Sequence, residues 1–187
     1  IYVGYKFYET AADEGLINYE DVVQYPFGYG LSYTTFTQEM GELKEADGVL
    51  SVDVTVTNTG SVAGRDVIQL YFNPPYTNGG IEKATANLIA FAKTAELAPG
   101  ATETVELTFD VTEMASYDDK ANNGAGAWVT EKGEYIISIN SDSHNIIAEQ
   151  KLTLSEIVYA GENGRDSDDQ AAANAFADCE NLGEITY

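Results

Sequence analysis

An all-β fold, an antiparallel β-sandwich of about seven strands, is what this sequence predicts. Three observations carry that expectation. Apolar and polar residues alternate with period two in several separate segments, as strands with one buried face require. Gly, Pro and Asn punctuate the chain between those segments. Across the middle of the chain no apolar stripe of helical period interrupts them.

The first clear strand follows Gly48. Leu50, Val52, Val54 and Val56 share one face, and Ser51, Asp53, Thr55 and Thr57 share the other. Asn58-Thr59-Gly60 then supplies turn chemistry, because Asn and Gly tolerate positive φ. After Ala63-Gly64, a second strand sets Ile68, Leu70 and Phe72 against Val67, Gln69 and Tyr71, and Asn73-Pro74-Pro75 stops it. A short apolar run at 88–91 comes next, then the turn Pro99-Gly100. Val105, Leu107 and Phe109 alternate with Glu106, Thr108 and Asp110. A loop rich in Asn and Gly at 122–126 precedes Trp128. Gly133 opens a strand with Tyr135, Ile137 and Ile139 on one face. His144-Asn145 turns the chain, and 146–154 closes the series. Seven short strands at this spacing point to an immunoglobulin/fibronectin type III-like sandwich, with a β-barrel as the structural alternative.

The flanks differ from the middle. Residues 1–8 are aromatic and β-prone, and read as the last strand of a preceding domain. Residues 9–23 are polar. Tyr25-Pro26-Phe27-Gly28-Tyr29-Gly30 then reads as an irregular connector whose rings, with Tyr33, pack between two domains. After Ser155 the sequence turns polar and acidic, then alanine-rich and helix-prone at 170–177, and strand-like at 183–187. The expected organisation is therefore the end of a preceding domain with its linker over 1–33, the sandwich over 34–155, and an acidic, partly helical linker toward a following domain over 156–187. The sequence starts at Ile1 rather than Met, which fits a piece of something longer.

At 187 residues with 44% hydrophobic and 11% aromatic content, the protein builds a core without disulfide or metal. Thirteen tyrosines against seven phenylalanines suit half-buried sheet surfaces. There are 31 acidic and 9 basic residues, for a formal net charge of −22. That balance argues against nucleic acid and anionic membranes as partners, since both are held by clustered Lys and Arg. It serves solubility, or life in a salty or acidic setting. No apolar run is long enough to span a bilayer, and compartment is left open.

Several segments taken together resemble glycoside hydrolase family 3, the β-glucosidase family. Residues 1–8 (IYVGYKFY) resemble the end of that family's α/β sandwich domain. The run PFGYGLSYT, residues 26–34, is similar to the signature joining it to a fibronectin type III-like domain. VTVTNTG at 54–60, Ala63-Gly64, DVIQLY at 66–71, FAKT at 91–94 with Leu97 and Pro99-Gly100, and Gly133-Glu134-Tyr135 with Ser141 follow in the order of that domain's strands. The resemblance covers residues 1–154. It implies retaining hydrolysis of terminal β-linked sugars by a larger protein, and as partners that protein's own catalytic barrel and α/β domains. Continuation past Ser155 resembles the permuted arrangement, in which the barrel follows the sandwich.

The family's catalytic nucleophile and acid/base belong to those other domains, so no catalytic residue is carried over and no cofactor is implied. Glycosidase chemistry needs two carboxyl groups held about 5–5.5 Å apart for retention. The acidic pairs here, such as Asp118-Asp119, fall in loops where solvated charge is the default. His144, the single histidine, sits in a turn with no G-x-S-x-G nucleophile motif to serve. Cys179, the single cysteine, lacks partners for a disulfide or zinc site. The aspartates at 166–169 lack the spacing of a calcium loop. Trp128 and Tyr76 are the candidates for contact with a ligand or neighbouring domain. They motivate a second reading as a carbohydrate-binding or surface-adhesion module, with carbohydrate as partner.

Overall fold

The computed structural model describes residues 1–165. The helix expected at 170–177, the aspartates at 166–169, Cys179 and the strand-like 183–187 lie outside the described residues.

The fold is an all-β sandwich. Its first sheet is built on β3 (Val49–Asn58). Along one edge of β3 run β1 (Phe36–Met40) and β2 (Lys44–Ala46); along the other runs β6 (Thr102–Asp110). The second sheet has the order β10 (Ile146–Leu154), β9 (Gly133–Asn140), β4 (Val67–Asn73), β5 (Asn87–Lys93). All pairings are antiparallel. Alternation places Leu50, Val52, Val54 and Val56 on the inner face of the first sheet, opposite Ile68, Leu70, Ile137 and Ile139 of the second. Each of the eight is at most 1% exposed. Burying side chains of this size stabilises by about 1.5–3 kcal/mol apiece, so this layer carries the fold.

A smaller sheet sits at one end: β7 (Ser116–Asp118), β8 (Ala127–Thr130) and β11 (Ile157–Tyr159), with β8 in the middle. It is fastened by a buried hydrogen bond of 2.9 Å between the hydroxyls of Thr130 and Tyr159. Asn122 and Asn123, in the loop between β7 and β8, both adopt left-handed backbone conformations, as the Asn/Gly-rich sequence there suggests.

The flanks depart from the sequence reading. Residues 1–8 do not form a strand. Tyr5–Asp13 is a helix, α1, entered through Gly4 at φ 62°. Strand propensity in Tyr-Lys-Phe-Tyr is overridden because helical winding places Tyr5 and Glu9, four residues apart, toward the sandwich, and the helix-favouring Ala11 and Ala12 follow. A short helix, α2 (Tyr19–Val22), lies within the polar stretch of residues 9–23. Beyond Ser155 the protein adds β11. The strands β1, β2, β7 and β11 are three to five residues long, too short to show a period.

Candidate functional site

The connector of residues 1–35 lies against the outer face of the second sheet, and the residues that fasten it form the site. Gln69 and Tyr71 point outward from β4, where a solvent-facing sheet would show polar, exposed side chains. Both are buried, Gln69 at 6% and Tyr71 at 2% exposure. The Gln69 side-chain amide donates to the carbonyls of Gly28 (3.1 Å) and Ser141 (2.9 Å), and its oxygen accepts from the Tyr71 hydroxyl (2.9 Å). Gly28 has φ 85°, and a Cβ there would fall 2.1 Å from the Gln69 side-chain oxygen. Only glycine fits where the connector crosses β4.

The Glu9 carboxylate of α1 is 7% exposed and gathers three groups. Its Oε1 accepts from the Tyr19 hydroxyl (2.7 Å) and the Ser143 hydroxyl (2.6 Å), and its Oε2 lies 2.8 Å from His144 Nδ1. The Tyr19 ring stacks on His144 at 3.7 Å, nearly parallel at 5°. Asp142 shapes the β9–β10 turn, its Oδ1 accepting from the backbone N–H of His144 and Asn145. Burial raises the Tyr19 phenol above its ordinary value, with Glu9 adding to the effect. This arrangement is not a hydrolytic triad. A triad needs the serine hydroxyl bonded to imidazole, whereas Ser143 and His144 both address the same carboxylate. The cluster joins three elements: α1 through Glu9, α2 through Tyr19, and the β9–β10 turn.

Tyr5 completes the fastening. Its ring stacks on Phe27 at 4.5 Å and meets Tyr71 edge-on at 6.2 Å, while its hydroxyl accepts from the Leu88 N–H at 2.9 Å. The Ser143 N–H donates to the Phe27 carbonyl at 2.8 Å. The far end of the connector is held by Asn58, which is fully buried. Asn58 Oδ1 accepts from the Thr34 hydroxyl (2.8 Å), and its amide donates to the carbonyls of Val62 and Leu97, both at 2.8 Å. Sequence reasoning takes Asn58 for turn chemistry and Gln69 for the open face of a strand. The hint it passes over is a long polar side chain amid the strong strand formers of DVIQLY.

With its backbone fixed, the connector turns a row of side chains outward. Tyr25 is 63% exposed, Leu31 90% and Tyr33 100%, and Phe27 and Tyr29 are about half exposed. Tyr25 and Tyr29 lie against each other at 5.1 Å. These side chains are large, mostly apolar and left exposed on the connector. Trp128 lies elsewhere, in β8. Tyr117 meets its ring edge-on at 5.8 Å, and the Arg165 guanidinium carbon sits 4.7 Å from its centroid. The indole is thus engaged within the protein itself. Tyr76 is exposed in the loop after Pro75. Among the described residues, no three His, Cys, Asp or Glu side chains come together as metal ligands.

The comparisons with known proteins agree with this architecture. A family model described as a fibronectin type III-like domain matches residues 66–143. The sequence is 44% identical over 145 residues to a β-glucosidase of Ruminococcus albus, covering 76% of this chain and 14% of that protein. It is 39% identical over 150 residues to β-glucosidase A of Butyrivibrio fibrisolvens, covering 72% and 17%. The structure of β-glucosidase 3B from Thermotoga neapolitana with α-D-glucose superposes with a TM-score of 0.72 at 35% identity, over 86% of this chain and 20% of that one. The protein described here thus spans a fifth or less of the length of these relatives.

Proposed function

The chain belongs to glycoside hydrolase family 3 through its fibronectin type III-like domain, and on that premise we propose that it is the non-catalytic accessory module of a β-glucosidase-type enzyme. In this reading the parent protein hydrolyses terminal β-linked sugars with two carboxyl groups of neighbouring domains. The module contributes orientation and apolar contact area. Residues 1–33 lead in from an α/β domain, 34–155 are the sandwich, and 156–187 lead on to a barrel that follows in permuted order.

One observation supports this reading above the others: a connector whose backbone is pinned to β4 and the β9–β10 turn, yet whose Tyr25, Tyr29, Leu31 and Tyr33 stay exposed. Rigid backbone with outward rings suits an interface between domains of one polypeptide, where contact areas run to roughly 600–1,500 Å². Trp128 supports the carbohydrate-binding reading less, since its ring is engaged by Tyr117 and Arg165.

The test is the full-length enzyme with Tyr25, Tyr29 and Tyr33 changed to Ala. We expect a lower melting temperature, faster proteolytic cleavage at the domain junction and reduced glucosidase activity. Melting and activity equal to the parent enzyme would overturn the proposal. Titration of the same enzyme, with its catalytic site blocked, with cello-oligosaccharides should show no binding that depends on Trp128 or Tyr76.

A further inference from the structure

Three Asn-Gly pairs occur in this protein, at Asn78-Gly79, Asn123-Gly124 and Asn163-Gly164. Their local chemistry is the same, because glycine offers the least hindrance to attack by its own backbone nitrogen. All three asparagines are exposed. They differ in what that nitrogen is doing. The Gly124 N–H donates to the Lys120 carbonyl at 3.2 Å, and the Gly164 N–H to the Gly161 carbonyl at 3.0 Å. At the third pair, a turn is closed by the Gly80 N–H on the Thr77 carbonyl at 2.8 Å, with Gly79 at φ 82° in the third position. The closing bond of such a turn uses the fourth residue's N–H and leaves the third residue's out of it. Gly79 N–H has no backbone acceptor among the described residues.

We infer that Asn78 is a site of spontaneous deamidation, and that it ages ahead of the other two. The Gly79 nitrogen loses its proton to water and attacks Asn78 Cγ. A new C–N bond closes the succinimide ring, the departing Nδ2 of Asn78 takes a proton from water as its bond to Cγ breaks, and ammonia leaves. Water then opens the ring at either carbonyl, giving aspartyl or isoaspartyl. The net change exchanges ammonia for water, with no oxidant or reductant. At Asn123 and Asn163 the attacking nitrogen must first give up a hydrogen bond, which costs about fivefold in reactive population. The product places a carboxylate in the β4–β5 loop, on a surface that Gly79 and Gly80 share with Glu82, Asp118, Asp119 and the cation Lys120, where acidic groups predominate. It lies two residues from Tyr76. Charge repulsion therefore accumulates with age on this face of the module.

The experiment incubates the intact protein in mildly alkaline buffer at physiological temperature. Peptide mass spectrometry follows the three peptides, and labelling by an isoaspartyl methyltransferase confirms the linkage. Asn78 should convert about fivefold faster than Asn123 or Asn163. In concentrated urea the three rates should converge, since only the fold separates them. Gly79→Ala should slow the Asn78 peptide and leave the other two unchanged. Equal rates in the folded protein, or an unchanged ratio in urea, would overturn the assignment.

Discussion

The two faces of the β10–β9–β4–β5 sheet are buried by different physics. Its inner face packs Ile68, Leu70, Ile137 and Ile139 against the first sheet with no hydrogen bonds to satisfy. Its outer face buries Gln69, Tyr71, Ser138 and Asn140 under a connector held by directional hydrogen bonds. Apolar packing sets how stable the sandwich is. Polar fastening sets where the connector lies, because a misplaced strap would leave Gln69 or Glu9 buried without a partner.

Adjacent residues of β4 make this contrast testable. The largest effect is expected from Leu70→Ala, which empties a fully buried position. It should cost about 2–5 kcal/mol in urea unfolding, with the transition remaining single and cooperative. Gln69→Leu should cost less, roughly 1–3 kcal/mol, because the Gly28 and Ser141 carbonyls lose their donor. Hydrogen exchange should quicken in residues 5–33 while β3 and β9 keep their protection. If Gln69→Leu instead destabilised the whole sandwich as much as Leu70→Ala, the two faces would not be separable.

The smallest effect concerns alkaline pH. Burial raises the phenols of Tyr19, Tyr71 and Tyr135, the last from 10.0 to about 12. Folded tyrosines thus hold their protons more tightly than unfolded ones. The associated stability is complete below pH 10.0 and is lost as pH climbs from there through the folded values. Melting temperatures should fall above that point, and Tyr135→Phe should flatten part of the slope. A melting temperature independent of pH in this range would contradict the burial of these rings.

What the sequence reveals follows the same division. Leu50 to Val56, Ile68 to Phe72 and Tyr135 to Ile139 are legible because inward faces leave a period-two trace whatever packs on them. The outward positions Gln69 and Tyr71 carry no trace of what covers them. That information lies in Gly28 and Tyr5, dozens of residues away. Helix α1 misleads for a related reason: Tyr5 is aromatic because it stacks on Phe27, and an aromatic residue chosen for a tertiary contact imitates strand propensity. The candidate residues Tyr25, Phe27, Tyr29 and Tyr33 are visible as rings in a Pro/Gly-rich run. Glu9 and His144 cannot be paired from sequence, lying 135 residues apart.

Asn58 has an implication for the order of events during synthesis. Its amide binds the Leu97 carbonyl 39 residues downstream, while its oxygen receives Thr34 from 24 residues upstream. Thr34 leaves the ribosome well before either lone pair or donor of Asn58 has its final surroundings. The connector, although made before the sandwich, therefore gains this anchor in its final form only after the β3–β4 and β5–β6 loops have closed, so its far end is fastened late in the assembly of the two sheets.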